Sequence, residues 1–180
     1  MGQVLEKVQN LLQPKKIRLF MLGVESSGKT TMLYRMKLGE VVRTVPTIGL
    51  NVNEIKYNDI VFEITEAGGV YKIYSIFHHF MPGKDGMILI VDSSFLDHKE
   101  LLQTTFKTCI NEIYANKKIP VLILANKSDI RKFTDMEILQ YIGVDNIEDK
   151  IFYKIIPTSC ISGDGINEAF NWLYQTFTNQ

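Results

Sequence analysis

The run Gly23-Val24-Glu25-Ser26-Ser27-Gly28-Lys29-Thr30 satisfies G-x-x-x-x-G-K-[ST], a spacing whose chemistry is phosphate binding. Its two glycines let the backbone curl until several N–H groups point inward at phosphate oxygens. Lys29 adds a point charge for the outer phosphates, and Thr30 offers a hydroxyl to Mg²⁺. A helix opening at Lys29 would contribute the positive end of its dipole. The residues predicted to hold a phosphate chain are therefore Gly23, Glu25, Ser26, Ser27, Gly28, Lys29, Thr30 and Thr31.

A second constellation, Asn126-Lys127-Ser128-Asp129, has the form N-K-x-D. Here the Asp129 carboxylate can accept two hydrogen bonds from the N1–H and N2–H₂ edge of guanine. Adenine lacks that donor pair, so a site built this way rejects it. The Lys127 stem would cover the base and Asn126 would tie loops together. Taken alone, the tetrapeptide also fits an ordinary solvated turn. Placed about 100 residues after a phosphate loop and at the end of an apolar strand, it points to guanine, because ligands gather at the carboxyl ends of parallel strands. GTP or GDP with Mg²⁺ is the implied ligand set.

Elements of the right kind surround both motifs. Four short apolar runs, Ile17 to Leu22, Gly86 to Val91, Pro120 to Ala125 and Phe152 to Ile156, read as strands buried on both faces. Between them, helical spacing runs from Lys29 to Lys37, Lys99 to Asn116, Asp135 to Tyr141 and Gly165 to Phe177. Such alternation implies an α/β fold with helices on both faces of a parallel sheet. Leu50 to Lys56 and Ile60 to Thr65, joined by Tyr57-Asn58-Asp59, read instead as a hairpin. One antiparallel edge strand then joins a six-stranded, mostly parallel sheet.

The first sixteen residues stand apart as a segment preceding a domain that spans residues 17–180. Val4, Leu5, Val8, Leu11 and Leu12 share one helical face, Pro14 stops the pattern, and the basic residues Lys15, Lys16 and Arg18 follow. The pattern fits equally a helix packed on the domain and one that lies on a membrane.

Composition narrows the class. The 180 residues are 46% hydrophobic and carry 20 basic against 20 acidic side chains, so a dedicated nucleic-acid binder, with its basic excess, is not expected. Cys109 and Cys160 match no zinc spacing and cannot frame a disulfide scaffold, which suits a reducing, cytoplasmic compartment. No apolar run reaches the roughly 18 residues of a membrane span. A monomer is expected.

With both motifs in place, the chain resembles the Ras-like small GTPases, and among them the Arf and Arf-like family. The likeness runs from about Ile17 to the C-terminus. Carrying it are Leu22-Gly23 with Gly28-Lys29-Thr30-Thr31, Pro46-Thr47-Ile48-Gly49, Val91-Asp92-Ser93, Ser162-Gly163-Asp164-Gly165 and Trp172-Leu173. The resemblance implies that Thr47 is the first-switch threonine, binding Mg²⁺ beside Thr30. It implies that Thr158-Ser159-Cys160 is the last guanine loop, with the Cys160 N–H facing the base oxygen. Read without the family, Thr47 is a turn residue and Cys160 a small buried thiol.

The second switch departs from the family's W-D-x-G-G-Q. It reads Thr65-Glu66-Ala67-Gly68-Gly69-Val70. Gly69 remains to offer its amide to the γ-phosphate. Glu66 stands for the aspartate that holds Mg²⁺ through water, and Val70 for the glutamine that orients the attacking water. Valine has neither donor nor acceptor, so slow or partner-dependent hydrolysis is expected. His78 and His79 are the nearest substitutes by sequence. Two readings follow: a slow GTPase cycling with an exchange factor, an activating protein and effectors, or a scaffold that holds GTP without turnover. An ATP-using kinase is disfavoured by the N-K-x-D motif. The family's three effector-facing aromatics fall at Leu50, Thr65 and Phe80. Family likeness further implies vesicle-mediated protein transport, reversible attachment to Golgi or another endomembrane, and N-myristoylation at Gly2. The acylation pattern, however, meets Glu6 where it wants Ser or Thr.

Overall fold

The computed structural model describes residues 14–40, 44, 49–68, 79–113 and 118–179. Six strands order as β2-β3-β1-β4-β5-β6 in one sheet. In chain order, β1 (Lys15–Leu22) leads to α1 (Lys29–Leu38), then to the hairpin β2 (Leu50–Tyr57) and β3 (Ile60–Ala67). There follow β4 (Gly86–Asp92), α2 (Lys99–Ile113), β5 (Ile119–Asn126), α3 (Asp135–Ile142), β6 (Ile151–Thr158) and α4 (Ile166–Thr178). Among the described residues, β2 alone runs antiparallel to its neighbour, and the other pairings are parallel. The expected architecture is therefore the observed one. The hairpin turn is tighter than expected, since Tyr57 still pairs with Ile60 and leaves only Asn58-Asp59 between the strands. The strand β1 begins at Lys15, two residues ahead of the expected domain boundary.

The apolar strands β4 and β5 are buried along their whole length because helices cover both faces. Alternate residues feed two cores. Leu89, Val91, Val121 and Ile123 pack with Phe106 of α2 and Ile138 of α3. Ile88, Ile90, Leu122 and Leu124 pack with Leu33 of α1 and Phe170 of α4. Helix α3 starts in a reciprocal cap: Thr134 Oγ1 accepts from the Glu137 N–H and Glu137 returns a bond to the Thr134 N–H.

Parallel pairing brings several loops to one edge. The register aligns Asp92, Asn126 and Thr158 across β4, β5 and β6, so the loops after these strands emerge side by side. Leu22 pairs with Leu89, and Met21 with both Ile88 and Glu66, which puts the loop after β1 and the end of β3 at the same edge. The segments Gly23 to Thr30, Asn126 to Asp129 and Thr158 to Cys160 therefore all begin at that edge.

The second core rests on aromatic packing. Phe170 lies 6.0 Å from Phe62 in an edge-on arrangement and 6.1 Å from Tyr57. By contrast Phe152, on edge strand β6, is 37% exposed although its ring meets Trp172. Phe170→Ala should cost about 3–5 kcal/mol in urea unfolding, whereas Phe152→Ala should cost about 1 kcal/mol or less. Equal losses would contradict this placement of the core.

Candidate functional site

The phosphate-loop sequence forms the β1–α1 connection. Gly28 takes φ +102°, and a Cβ there would lie 2.2 Å from Asn126 Nδ2. The second glycine is thus fixed by a close approach as well as by a left-handed backbone. Ser26 also takes positive φ, at 60°, which costs a non-glycine residue and is typical of a constrained site. Helix α1 has no acidic residue in its first turn and no side-chain cap, so its N-terminal N–H groups and dipole face the loop uncompensated.

Lys29 is buried and its ammonium curls back to donate to Gly23 O at 2.8 Å and Val24 O at 2.9 Å. Burial pushes it down to about 8, against the pull of the Glu66 and Glu25 carboxylates. Glu25 and Ser26 are exposed, and Thr31 Oγ1 lies 3.5 Å from Thr44 Oγ1. Ser27 Oγ is buried with no hydrogen-bond partner.

At the end of β3, Glu66 is fully buried. Its Oε1 accepts from the Thr30 hydroxyl, while Oε2 is buried with no partner. Burial raises its carboxyl above the ordinary range, opposed by the Thr30 bond and the Lys29 charge. A hydroxyl and an orphaned carboxylate oxygen side by side are hard oxygen donors. They fit a divalent cation of the Mg²⁺ kind that takes its remaining ligands from phosphate and water. Among the described residues no cluster of three or more His, Cys, Asp or Glu forms a self-sufficient metal site. Thr47, Gly69, Val70 and His78 lie outside the described residues, as does Gly2 with the N-terminal helix face.

The N-K-x-D tetrapeptide begins at the end of β5. Asn126 ends β5 and sends Nδ2 to Ser27 O at 2.7 Å, while its Oδ1 receives the Cys160 N–H at 3.2 Å and the Cys160 thiol at 3.2 Å. The Cys160 N–H, expected to face a base oxygen, is thus directed to Asn126 in this structure. The reason is local: a buried N–H needs an acceptor, and Asn126 presents one. Lys127 takes φ 62°, and Asp129 is exposed on a single 3₁₀ turn, Ser128–Ile130. Ser159 is buried, its N–H on Asp164 O and its Oγ accepting from Ser162 N. Burial pushes the Cys160 thiol up to about 11 and that of Cys109 to about 12, so both are protonated and unreactive at neutral pH.

Sequence reasoning missed Asp92. Its carboxylate holds the Lys127 ammonium and accepts from the Ser94 N–H and hydroxyl. Lys127 is thereby steered by the end of the neighbouring strand. The only signal in the sequence was Val91-Asp92-Ser93 closing an apolar run.

Two surface expectations also change. Thr65, placed among the effector-facing positions, is buried and accepts from Lys84 Nζ at 2.6 Å. Leu50 packs partly against the core, and of the three positions Phe80 alone is exposed. The basic run has other commitments as well. Lys15 Nζ donates to Phe177 O at 2.6 Å, and Lys16 pairs with Glu54 at 2.7 Å and Glu63 at 3.2 Å.

The sequence model of the ADP-ribosylation factor family matches residues 1–177. The chain belongs to this family. It is a small GTP-binding protein of the Arf type, a switch between GTP and GDP whose family hydrolyses GTP and works with regulators and effectors. It is also similar to a solved structure, the Arl6 (BBS3) small GTPase of Trypanosoma brucei with bound nucleotide analogue GppNp. That likeness has a TM-score of 0.76 at 26% identity, covering 92% of this chain and 99% of that one. Among the described residues, no helix of this Arf-family protein is long and apolar enough to cross a membrane.

The Asp92–Lys127 pair gives a pH signature. Burial alone would raise the Asp92 carboxyl, but the Lys127 ammonium and the Ser94 donors outweigh it and hold it below its ordinary value. A depressed carboxyl stabilises the fold above its unfolded value and loses that contribution as pH falls through the folded one. Asp92→Asn should therefore be less stable than the parent near neutrality, and the two should converge below about pH 4. Urea midpoints between pH 3 and 7 measure this; a gap that stays constant would exclude the pair as its cause.

Proposed function

We propose that this Arf-family protein is a GTP/GDP switch with slow intrinsic hydrolysis, acting in vesicle-mediated protein transport on an endomembrane such as the Golgi. The observation that carries the hydrolysis claim is the second switch. Glu66 stands at the metal-holding position, in contact with Thr30, and Val70 stands where the family keeps the glutamine that orients water. The neighbour's bound GppNp supports a GTP-competent site of the same build.

In this reading the residues divide the work. Gly23, Glu25, Ser26, Ser27, Gly28 and Thr31 shape the loop around the phosphates, and Lys29 turns from its carbonyls to the outer phosphates. Thr30, Thr47 and Glu66 would hold Mg²⁺, which when bound neutralises phosphate charge. Gly69 offers its amide to the γ-phosphate. Asn126 fixes the loops, Lys127 covers the base, Asp129 reads the guanine edge, and Ser159 and Cys160 close over its oxygen side. None of these groups replaces the water-orienting amide lost at Val70, so an activating protein would have to supply it. Myristoylation at Gly2 gives only marginal attachment by itself. The apolar face of Val4, Leu5, Val8, Leu11 and Leu12 must add to it, since Lys15 and Lys16 already have partners in the domain.

Single-turnover hydrolysis of preloaded GTP tests the switch. Val70→Gln should accelerate it on the order of tenfold, about 1.4 kcal/mol of barrier, with GTP affinity nearly unchanged, because the restored contact is made mainly in the transition state. Equal rates in parent and variant would refute this role for Val70. No turnover in either would favour the non-hydrolysing scaffold.

Base reading has its own test. Asp129→Asn should weaken GDP binding and admit xanthosine diphosphate, because an amide can donate to the second carbonyl of xanthine. Titration with labelled nucleotides distinguishes the outcomes. Unchanged GDP affinity would remove Asp129 from the base site.

A further inference from the structure

Arg35 belongs to neither motif, yet its side chain reaches the guanine loop. It lies on α1, six residues after Lys29, roughly 9 Å further along the helix axis. Its guanidinium donates to consecutive carbonyls of the loop after β6. Nη1 reaches Ile161 O at 2.6 Å and Cys160 O at 3.4 Å, and Nη2 reaches Ser162 O at 2.8 Å. The next residue, Gly163, has φ +95°, and a Cβ there would lie 2.6 Å from Nη2. The loop is therefore folded tightly onto the guanidinium. From the inner side the same loop is tied by the Cys160 N–H to Asn126 Oδ1 and by the Gly163 N–H to Ser159 O at 2.8 Å.

An arginine in the last turn of a helix has an ordinary explanation, which is favourable interaction with the negative end of the dipole. Lys37 in the same turn serves that purpose without touching the guanine loop in any described bond. What sets Arg35 apart is a planar fork whose two arms engage neighbouring carbonyls at once. A lysine ammonium, a point charge on a flexible stem, does not reproduce that geometry.

We infer that Arg35 is a positioning residue for base recognition, clamping the Ser159–Cys160 loop from outside against the helix whose first turn carries Lys29 and Thr30. The inference rests on the reading that this loop meets the oxygen of guanine, with the Cys160 N–H, whose bond to Asn126 Oδ1 is a long 3.2 Å, shared between that acceptor and the base. Through Arg35, the register of the base pocket is set by the same rigid helix that sets the phosphate site. Loosening the clamp should therefore harm the contact with the base oxygen and leave the phosphate contacts alone.

The test compares the full chain with Arg35→Lys, which keeps the charge at the helix end, and Arg35→Met, which removes it. Each is titrated with GDP and with 6-thioguanosine diphosphate, where sulfur, a weak acceptor, replaces the base oxygen. The parent should prefer GDP. Both variants should lose about fivefold of that preference, as expected for one partly exposed charge-assisted hydrogen-bond set. Their affinity for the thio analogue should stay within about twofold of the parent. Thermal unfolding checks each fold, and if Arg35→Met does not fold, Arg35→Lys alone carries the comparison. A preference unchanged in the folded variants, or equal losses for both nucleotides, would overturn the clamp. A parent that does not distinguish the two nucleotides would instead overturn the base-oxygen reading, and the inference with it.

Discussion

Asn126 commits both ends of its carboxamide to the protein: Nδ2 to Ser27 O in the phosphate loop, Oδ1 to the Cys160 N–H in the loop after β6. An amide in this position cannot rotate without breaking one bond or the other, and both lie where water does not replace them. Three loops from distant parts of the sequence are thereby locked in one register. Gly28 makes the lock possible, because any side chain there would occupy the space of Asn126 Nδ2. The sheet in turn delivers Asn126 by pairing it with Asp92 and Thr158, so strand register propagates directly into site geometry. Among the described residues, the phosphate loop and the loop after β6 are thus both held by this one side chain.

Charge in the site follows the same economy of neighbours. Lys29 and Glu66 are buried together at the mouth of the phosphate loop, each moderating the other's desolvation. Asp92 and Lys127 repeat the arrangement at the base side, with Ser94 completing the carboxylate's bonds. In both pairs a carboxylate lies beside the ammonium and offsets part of the cost of its burial or immobilisation. Such sites trade stability for preorganisation, which agrees with the positive φ of Ser26 and Lys127 beside them.

The fold was legible from the sequence because its signals are local. Continuous apolar runs marked β4 and β5, the hairpin announced itself through Tyr57-Asn58-Asp59, and Gly23 to Thr30 required a strand before and a helix after. What stayed hidden depends on contacts across the sheet. Asp92 reads as the polar end of a strand until the register sets it beside Lys127. Arg35 reads as one of several cations on α1 until the loop after β6 folds back upon it. Thr65 reads as a surface position until Lys84, nineteen residues later, covers it. None of these partners is a neighbour in sequence, and no periodicity encodes them.

Glu66 shows how one methylene can redistribute roles within a site. A shorter aspartate would hold its carboxylate back from Thr30 and leave room for a water between them. The glutamate side chain instead reaches the Thr30 hydroxyl itself and leaves its second oxygen buried and unbonded. An unsatisfied buried carboxylate oxygen is costly, and a cation is the partner that satisfies it most fully. The unbonded oxygen that makes Glu66 costly to bury would thus be the one that draws a cation. A cation held there would also meet Thr30, which opens the helix after the phosphate loop.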